Sequence, residues 1–171
     1  MENLEDYIRT IKDFPKKGIQ FKDITPLLAE PKAMEFCVQK FITLLNGQSI
    51  DKVIGIESRG FLLGTLLAKT LNAGFVPIRK AGKLPYKTLK ATYSLEYGKD
   101  IIEIHKDAIK KGERVLLHDD VLATGGTAKA ATELIEQLGG ILIQSNFLIE
   151  LAFLNGRQKL ANYNVVSLLS Y

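Results

Sequence analysis

The sequence predicts an α/β fold in which helices cover both faces of a central, mostly parallel β-sheet. Short apolar runs with the length of buried strands alternate along the chain with segments of helical composition or periodicity. Several of these runs end in polar or glycine-containing loops. Parallel strands bring such loops to one edge of the sheet, which is where these folds bind ligands. We therefore expect a binding site at the carboxyl edge.

The N-terminal segment is predicted to begin with a short amphipathic helix near residues 3 to 12. Its apolar residues recur at helical spacing: Leu4, Tyr7, Ile8 and Ile11. Proline and glycine between residues 13 and 18 then end the regular structure. Phe21 follows in a segment that we expect to be irregular. A large aromatic side chain there is either a core anchor or a platform for a ligand, and the residues alone leave both open.

The next two helices flank the first central strand. One helix is predicted to begin at Pro31 and to end at the Asn-Gly pair of residues 46 and 47, with an apolar face between them. Lys52–Ile56 is the first clear strand. The turn at residues 57–60 then leads into an apolar helix that runs through Leu67.

A second strand is predicted at residues 74–78, with basic residues at its exit. Between residues 79 and 95 the chain has no acidic residue and five basic ones, which are Arg79, Lys80, Lys83, Lys87 and Lys90. Uncompensated charge beside Gly82 and Pro85 predicts a mobile exposed loop, which is either a solvated basic face or a lid over an anionic substrate. We expect the lid, carried by a hairpin with strands at 93–97 and 101–104. The hairpin turn is predicted at residues 98–100.

Residues 114–138 carry the clearest chemistry. The apolar run 114–117 predicts a buried strand, and two carboxylates, Asp119 and Asp120, follow where that strand would leave the sheet. A glycine-rich turn at 123–127 then leads into a helix at 128–138. Glycines let backbone N–H groups close around a phosphate, and the positive end of the helix faces the same point. The carboxylates would instead address sugar hydroxyls or a hydrated cation. Further strands are predicted at 141–150 and 165–169, with a turn at 155–157.

Composition limits the possible classes of protein. The 171 residues, 46% of them apolar, fit one domain spanning 1–171. One cysteine excludes an internal disulfide, and with two histidines it cannot form a structural zinc site within one chain. The first residues are too acidic for a signal peptide, and no apolar run has the roughly 20 residues of a membrane span. We therefore expect a cytoplasmic protein. The net charge of +4 suits a phosphate-rich substrate as well as nucleic acid.

Other known motifs do not fit the glycine-rich turn. It lacks the spacing of a Walker loop and of a dinucleotide fingerprint, so an ordinary turn is the remaining alternative. Residues 55–60, Gly-Ile-Glu-Ser-Arg-Gly, differ by one residue from the nucleophile elbow of hydrolases. We reject that elbow because neither histidine has an evident partner and the glycine-rich turn would stay unexplained.

Residues 115–127 resemble the binding motif for 5-phosphoribosyl-1-pyrophosphate (PRPP) of the type I phosphoribosyltransferases, and within that family they are similar to the members that act on adenine. The resemblance extends over nearly the whole chain through five segments in the family's order, at residues 13–15, 21–28, 55–61, 79–85 and 95–98. It implies the type I phosphoribosyltransferase fold, with a hood formed largely by about residues 1–30. It also implies the conversion of adenine and PRPP to AMP and pyrophosphate.

The resemblance assigns roles to the residues of the PRPP site. The ribose hydroxyls would be held by Asp119 and Asp120. The 5-phosphate would be held by Ala123, Thr124, Gly125, Gly126 and Thr127. The residues that would face the pyrophosphate are Arg59, Arg79, Lys80 and Lys83. We expect Mg²⁺ as a cofactor, bound mainly through PRPP and water rather than by dedicated protein ligands.

The purine would stack on Phe21, with the backbone of Gln20 and Lys22 at its edge. Two residues are expected to be catalytic, Arg59 and Glu96. Glu96 would take the proton from the purine, although a simple counter-charge for the basic run is its alternative. His118 departs from the family, which usually has an aliphatic residue there, and we expect a buried neutral histidine.

The resemblance also implies a homodimer, with no nucleic-acid or membrane partner. Two alternatives remain. One is a phosphoribosyltransferase for an oxopurine, meaning hypoxanthine, guanine or xanthine. The other is a regulator that keeps the fold to sense PRPP and binds DNA or RNA, although such proteins commonly add a recognition segment for which we expect no room here.

Overall fold

The computed structural model describes residues 3–94 and 99–171 and contains a seven-stranded sheet. The strands of this sheet are β3 (Lys52–Ile56), β4 (Gly74–Lys80), β5 (Thr88–Ser94), β6 (Lys99–His105), β7 (Arg114–Leu122), β8 (Ile141–Glu150) and β9 (Val165–Ser170). They lie side by side in the order β5-β6-β4-β3-β7-β8-β9. The five strands from β4 to β9 in this order run parallel, whereas β6 is antiparallel to both β4 and β5. The predicted mostly parallel sheet is confirmed.

The helices cover both faces of this sheet. They are α1 (Thr25–Leu28), α2 (Pro31–Leu44), α3 (Gly60–Thr70) and α4 (Gly126–Gln137), and short 3-10 helices lie at Leu4–Tyr7, Ala152–Leu154 and Gly156–Leu160. Alternation along β3 separates two buried clusters. Val53 belongs to the cluster of α2 and α3, whereas its neighbour Ile54 belongs to that of α4. The predicted α/β class is therefore confirmed.

The predicted helix near residues 3 to 12 is wrong beyond its first turn. After the 3-10 helix, β1 (Arg9–Lys12) pairs antiparallel with β2 (Gln20–Asp23) in a separate two-stranded sheet. An isolated helix of ten residues is marginal, whereas pairing with a second strand satisfies the backbone of the same residues. Phe21 consequently lies in a regular strand, not in an irregular segment.

Four strand boundaries also differ from the prediction. β5 begins at Thr88, whereas the first strand of the hairpin was predicted to begin at residue 93. β7 continues through both Asp119 and Asp120, because β8 pairs with it as far as Leu122 opposite Glu150. β4 includes two residues that were placed at its exit, since Arg79 pairs with a residue of β6. Residues 99 and 100 lie in β6 and not in the predicted turn. The predicted turn at 155–157 is present at Asn155, which has a left-handed backbone between two 3-10 helices, whereas residues 156 and 157 belong to the second helix. Within the described ranges, no helix has the length and apolar character needed to cross a membrane.

Candidate active site

A cleft of about 430 Å³ opens at the carboxyl edge of the central strands. Four segments form most of its wall: β2, the turn after β3, the end of β7, and the loop before α4. Eight residues predicted for the site line this cleft, namely Gln20, Phe21, Lys22, Arg59, Asp119, Asp120, Ala123 and Thr127. The fold thus brings together side chains that are separated by about a hundred positions in the chain.

The acidic pair lies on β7 at the floor of the cleft. The backbone N–H of Asp120 donates to Asp119 Oδ1 at 2.9 Å, and the Asp120 side chain is buried and forms an ion pair with Arg59 Nε. Burial and the neighbouring Asp120 charge raise the pKa of Asp119 well above its usual range. The two carboxyl groups therefore differ, because one is held by a guanidinium and the other is pushed towards its neutral form.

Gly60, the first residue of α3, allows that helix to approach the acidic pair. A Cβ at this position would lie 2.8 Å from Asp119 Oδ1 and 2.9 Å from the His118 carbonyl oxygen. Any larger residue would push α3 away from β7. The glycine of the turn after β3 is thus required by packing against the acidic pair.

The glycine-rich turn forms a second, smaller pocket of about 70 Å³ beside the cleft. Its lining includes Ala123, Thr124, Gly125 and Thr127, and Gly126 begins α4 directly behind it. This volume is several times the ~10–15 Å³ that a cavity needs to hold one water molecule, so it suits a group larger than water, such as a phosphate. The unsatisfied N–H groups at the start of α4 and its positive end favour an anion there.

The shape of this pocket depends on a contact between Gly125 and Gly156, and the sequence analysis did not assign Gly156 to the site. Gly125 has a left-handed backbone with φ 75°, and a Cβ on it would overlap the Gly156 carbonyl oxygen. A Cβ on Gly156 would in turn overlap the Ala123 carbonyl oxygen. Backbone therefore packs directly on backbone. No local pattern around Gly156 signals this approach.

Phe21 and Arg59 meet at the end of the cleft near β2. The Arg59 guanidinium carbon lies 5.6 Å from the centre of the Phe21 ring, and the edge of the Phe14 ring packs on the same ring at 5.3 Å between centres. The Lys22 ammonium is engaged by the Tyr171 ring, 3.7 Å away, and by Thr10 Oγ1 at 3.0 Å. Arg59 thus links the aromatic end of the cleft to the acidic pair.

Four of the five residues of the basic run pair with carboxylates from other parts of the chain, so the prediction of uncompensated charge there is wrong. The pairs in the described ranges are Arg79 with Glu57, Lys80 with Asp100, Lys83 with Glu57, and Lys90 with Glu103. These partners follow β3 or lie on β6, and their proximity cannot be read from residues 79–95 alone.

Glu57 brings two of these cations to the cleft that it lines. Its Oε2 accepts from the Lys80 N–H at 2.9 Å and from Arg79 Nε at 3.3 Å, and its Oε1 pairs with the Lys83 ammonium. Burial alone would raise the pKa of Glu57, but these bonds outweigh it and lower the pKa to about 2. Arg79, Lys80 and Lys83 do not line the cleft themselves in the part of the chain that the structure describes.

Tyr93 is a further lining residue that the sequence analysis did not assign to the site. Its hydroxyl donates to Asp100 Oδ2 at 3.2 Å. Burial raises the pKa of Tyr93, and a hydrogen bond with the Thr127 side chain offsets part of that rise. Tyr93 therefore connects the hairpin to the small pocket. The predicted catalytic residue Glu96 lies outside the described residues.

His118 is buried on β7 immediately before the acidic pair, as predicted. Its Nδ1 lies 2.6 Å from Asn146 Oδ1, and its ring packs against Phe41 at 5.5 Å between centres. Burial lowers the pKa of His118 to about 4, so the ring is neutral at pH 7. Its side chain contacts the core rather than the cleft.

The chain is similar in sequence and structure to known proteins over almost its full length. The phosphoribosyl transferase domain family matches residues 24–166. An adenine phosphoribosyltransferase from Christiangramia forsetii is 61% identical over 168 residues, which cover 98% of each chain. The crystal structure of adenine phosphoribosyltransferase from Thermoanaerobacter pseudethanolicus has a TM-score of 0.95 and 51% identity, covering 99% of this chain and 100% of that one.

A further solved structure was obtained with ligands. It is adenine phosphoribosyltransferase from Saccharomyces cerevisiae, complexed with an imino-altritol bisphosphate and adenine. Its TM-score is 0.93 at 46% identity, and the match covers 97% of this chain and 96% of that one.

Proposed function

This chain belongs to the phosphoribosyltransferase family, and from that premise we propose that it converts adenine and PRPP to AMP and pyrophosphate in purine salvage. One observation carries the proposal. Phe21 lines only the cleft, Thr124 and Gly125 line only the small pocket, and Asp119 of the acidic pair lines both. That order matches a nucleotide laid out as base, ribose and 5-phosphate.

The reaction joins purine N9 to the anomeric carbon of the ribose while the bond from that carbon to the pyrophosphate oxygen breaks. The electron pair of that bond leaves with the pyrophosphate, and the sugar passes through an oxocarbenium-like state. Asp119 and Asp120 are proposed to hold the ribose hydroxyls, and the negative charge of Asp120 would also favour a cationic sugar. The proton on N9 must be lost. Glu96 is our candidate to accept it.

The leaving pyrophosphate is proposed to meet the cations gathered around the turn after β3. Glu57 already holds Arg79 and Lys83 at the cleft, and Asp120 holds Arg59. A pyrophosphate carries more charge than either carboxylate, so it can recruit the same cations when it binds. Arginine suits this role because its planar fork donates to two oxygens at once.

Mg²⁺ is proposed as the cofactor, and it would neutralise charge on the pyrophosphate. The carboxylates that line the cleft are Glu57, Asp119 and Asp120, and two of them are engaged by cations. No cluster of three or more possible metal ligands occurs in residues 3–94 and 99–171. This donor set fits an ion that arrives with PRPP and keeps most of its water, as Mg²⁺ commonly does.

We further propose that the chain forms a homodimer and acts in the cytoplasm. The outer face of α3 supports the dimer, because it exposes two leucines one turn apart, Leu62 and Leu66. The single cysteine, Cys37, is a buried free thiol, which is compatible with a reducing compartment.

The activity is tested by incubating the protein with PRPP, Mg²⁺ and, separately, adenine, hypoxanthine, guanine and xanthine, while the nucleotide formed is measured. AMP formed from adenine, with pyrophosphate in equal amount, supports the proposal. Preferential use of an oxopurine would assign the chain to the alternative specificity. Binding of PRPP without turnover of any base would favour the sensing function.

A further inference from the structure

Glu103 is a buried charged residue to which neither the sequence analysis nor the proposed reaction gives a role. Its side chain on β6 is 2% exposed. The carboxylate oxygen Oε1 accepts from three consecutive backbone N–H groups: Gly82 at 2.9 Å, Lys83 at 3.2 Å and Leu84 at 3.2 Å. The other oxygen accepts from the Thr88 hydroxyl at 3.2 Å and lies 3.7 Å from the Lys90 ammonium.

Alternation along β6 explains why this carboxylate points at the loop. Ile102 and Ile104 both belong to the buried cluster of α4, so Glu103 between them faces the opposite side of the sheet. The loop at residues 81–87 folds over that side, between β4 and β5. A buried carboxylate is costly unless its oxygens are hydrogen-bonded. The hydrogen bonds from the loop therefore offset the cost of burying the Glu103 carboxylate.

The carboxylate remains ionised despite its burial. Burial alone would raise the pKa of Glu103, but the N–H groups of Leu84 and Gly82 and the Thr88 hydroxyl lower it below its usual value. The charge therefore stays available to order the three N–H groups at neutral pH. Such bonds to an ionised acceptor are about twice as strong as neutral ones.

Lys83 connects this contact to the cleft. Its backbone N–H is held by Glu103, and its ammonium pairs with Glu57, which lines the cleft. Its N–H also lies 3.3 Å from the Lys80 carbonyl oxygen, which closes the turn. One carboxylate therefore fixes the backbone of Lys83, and a second one receives its side chain.

We propose that Glu103 is a positioning residue, which fixes the turn at residues 82–84 and thereby places the Lys83 ammonium where the pyrophosphate of PRPP binds. This inference rests on the proposed function, since that function assigns Lys83 to the pyrophosphate. Glu103 itself touches no substrate. Its effect must appear in PRPP and pyrophosphate binding and not in the binding of adenine.

Two conservative variants separate the effect of the length of the Glu103 side chain from the effect of its charge. Glu103→Gln keeps an oxygen at the position of Oε1 and can still accept from the three N–H groups, but it loses the charge. Glu103→Asp keeps the charge and loses one methylene, so its oxygens cannot reach the turn. Lys90→Met is the matched control, because it removes only the partly exposed ion pair. The readouts are kcat, the KM for PRPP and for adenine, and the Kd for inorganic pyrophosphate with Mg²⁺ by calorimetry.

We expect Glu103→Asp to raise the KM for PRPP and the Kd for pyrophosphate by about tenfold, which corresponds to the loss of about one hydrogen bond to a charged group. The KM for adenine should stay within about twofold of wild type, and Lys90→Met should stay within about twofold in every constant. Glu103→Gln should stay within about threefold of wild type for PRPP. In a Lys83→Met background, Glu103→Asp should add little, because the ammonium that it positions is gone.

Three results would overturn the inference: unchanged pyrophosphate affinity in Glu103→Asp, equal weakening in Glu103→Gln and Glu103→Asp, or additive effects of Glu103→Asp and Lys83→Met. A purely structural role would lower the melting temperature and kcat while leaving the ratio of the two KM values unchanged, and this too would overturn it. If the wild-type protein forms no AMP from adenine, the proposed function fails. The pyrophosphate affinities then decide the role of Glu103 by themselves.

Discussion

At the scale of single residues, Gly125 offers a direct test of the phosphate pocket. Gly125→Ala should raise the KM for PRPP by at least about tenfold, because the methyl group would overlap the Gly156 carbonyl oxygen and the left-handed backbone would be strained. Steady-state kinetics with varied PRPP measures this change. Gly112→Ala is the matched control, since Gly112 also has a positive φ, 87°, but has open space around it.

The Gly112→Ala control separates the effect of backbone strain at a positive φ from the effect of disrupting the phosphate pocket. Gly112→Ala should lower the free energy of unfolding by about 1–2 kcal/mol and leave the KM for PRPP unchanged. A folded Gly125→Ala protein with wild-type affinity for PRPP would remove the glycine-rich turn from the phosphate site.

Glu96 is the residue whose role rests on the sequence alone. If it accepts the purine proton, Glu96→Gln should lower kcat by roughly 10²–10⁴-fold while the affinity for PRPP changes little. If it only balances the basic run, the substitution should alter PRPP affinity and its salt dependence instead. Single-turnover rates together with PRPP binding at two salt concentrations distinguish the two roles. Wild-type kcat in the variant would exclude Glu96 from catalysis.

His118 should make stability depend on pH. Its pKa is about 4 in the folded chain and near 6.5 in the unfolded chain, so the unfolded state binds the proton first. The full stability is therefore present above about pH 6.5 and is lost as the pH falls towards 4, by about 3 kcal/mol from this residue. His118→Leu should remove this slope. Urea unfolding of both proteins between pH 4 and 7 measures it, and a constant difference across that range would contradict the prediction.

The residues that could be predicted from the sequence are those whose chemistry is contained in a local pattern. The acidic pair and the glycine-rich turn follow each other within nine positions, 119–127, and they do meet in the cleft. Gly156 and Glu103 could not be predicted, because each acts on a segment about twenty to thirty positions away. Their roles depend on contacts that only the folded chain creates.

At the scale of elements, the longer elements were predicted well and the N-terminal one was not. The start of α2 at Pro31 and strand β3 follow from capping and apolar content. The segment at residues 9–12 failed because its apolar spacing suits a helix, whereas its partner in β2 lies beyond a turn. Pairing with another segment of the chain can override local periodicity, and the β1–β2 hairpin is such a case.

The β1–β2 hairpin also yields a prediction about base selectivity. Backbone groups of Gln20 and Lys22 point to the same edge of β2, because successive residues of a strand alternate. If that edge offers one N–H and one C=O to the purine, it matches the N1 acceptor and amino donor of adenine, whereas hypoxanthine reverses both. The kcat/KM for adenine should then exceed that for hypoxanthine by roughly 10⁴-fold.

Side-chain variants in β2 test whether the backbone reads the base. Gln20→Ala should leave the ratio of kcat/KM values unchanged, while Phe21→Ala should weaken all purines together because it removes the stacking surface. Use of hypoxanthine or guanine within about tenfold of adenine would contradict this specificity. A changed ratio in Gln20→Ala would show that a side chain, not the backbone, selects the base.

At the scale of the whole molecule, the order of the sheet explains how the site is assembled. β3 and β7 are neighbours at its centre and run parallel, so the turn after β3 and the acidic pair of β7 meet at one edge. β6 runs antiparallel beside β4 and brings Asp100 and Glu103 to the basic run. The alternation of elements predicted the parallel part. A local hairpin signal predicted the antiparallel pair of β5 and β6, whereas the position of β6 beside β4 depends on long-range pairing and was not specified by any local signal.

The final prediction concerns assembly into a dimer. α3 starts beside Arg59 at the cleft, and its outer face carries Leu62 and Leu66, which are 44% and 37% exposed. If a second copy covers this face, Leu62→Glu should place a charge in an apolar interface and shift the dimer towards monomer. Light scattering after gel filtration should give twice the chain mass of 19.0 kDa for wild type and the single mass for the variant. Ile141→Glu is the control, since Ile141 is also an exposed apolar residue, at 52%, but lies at the amino end of β8, and this variant should stay dimeric. A monomeric wild type would contradict the dimer, whereas a dimeric Leu62→Glu would place the interface on another face of the molecule.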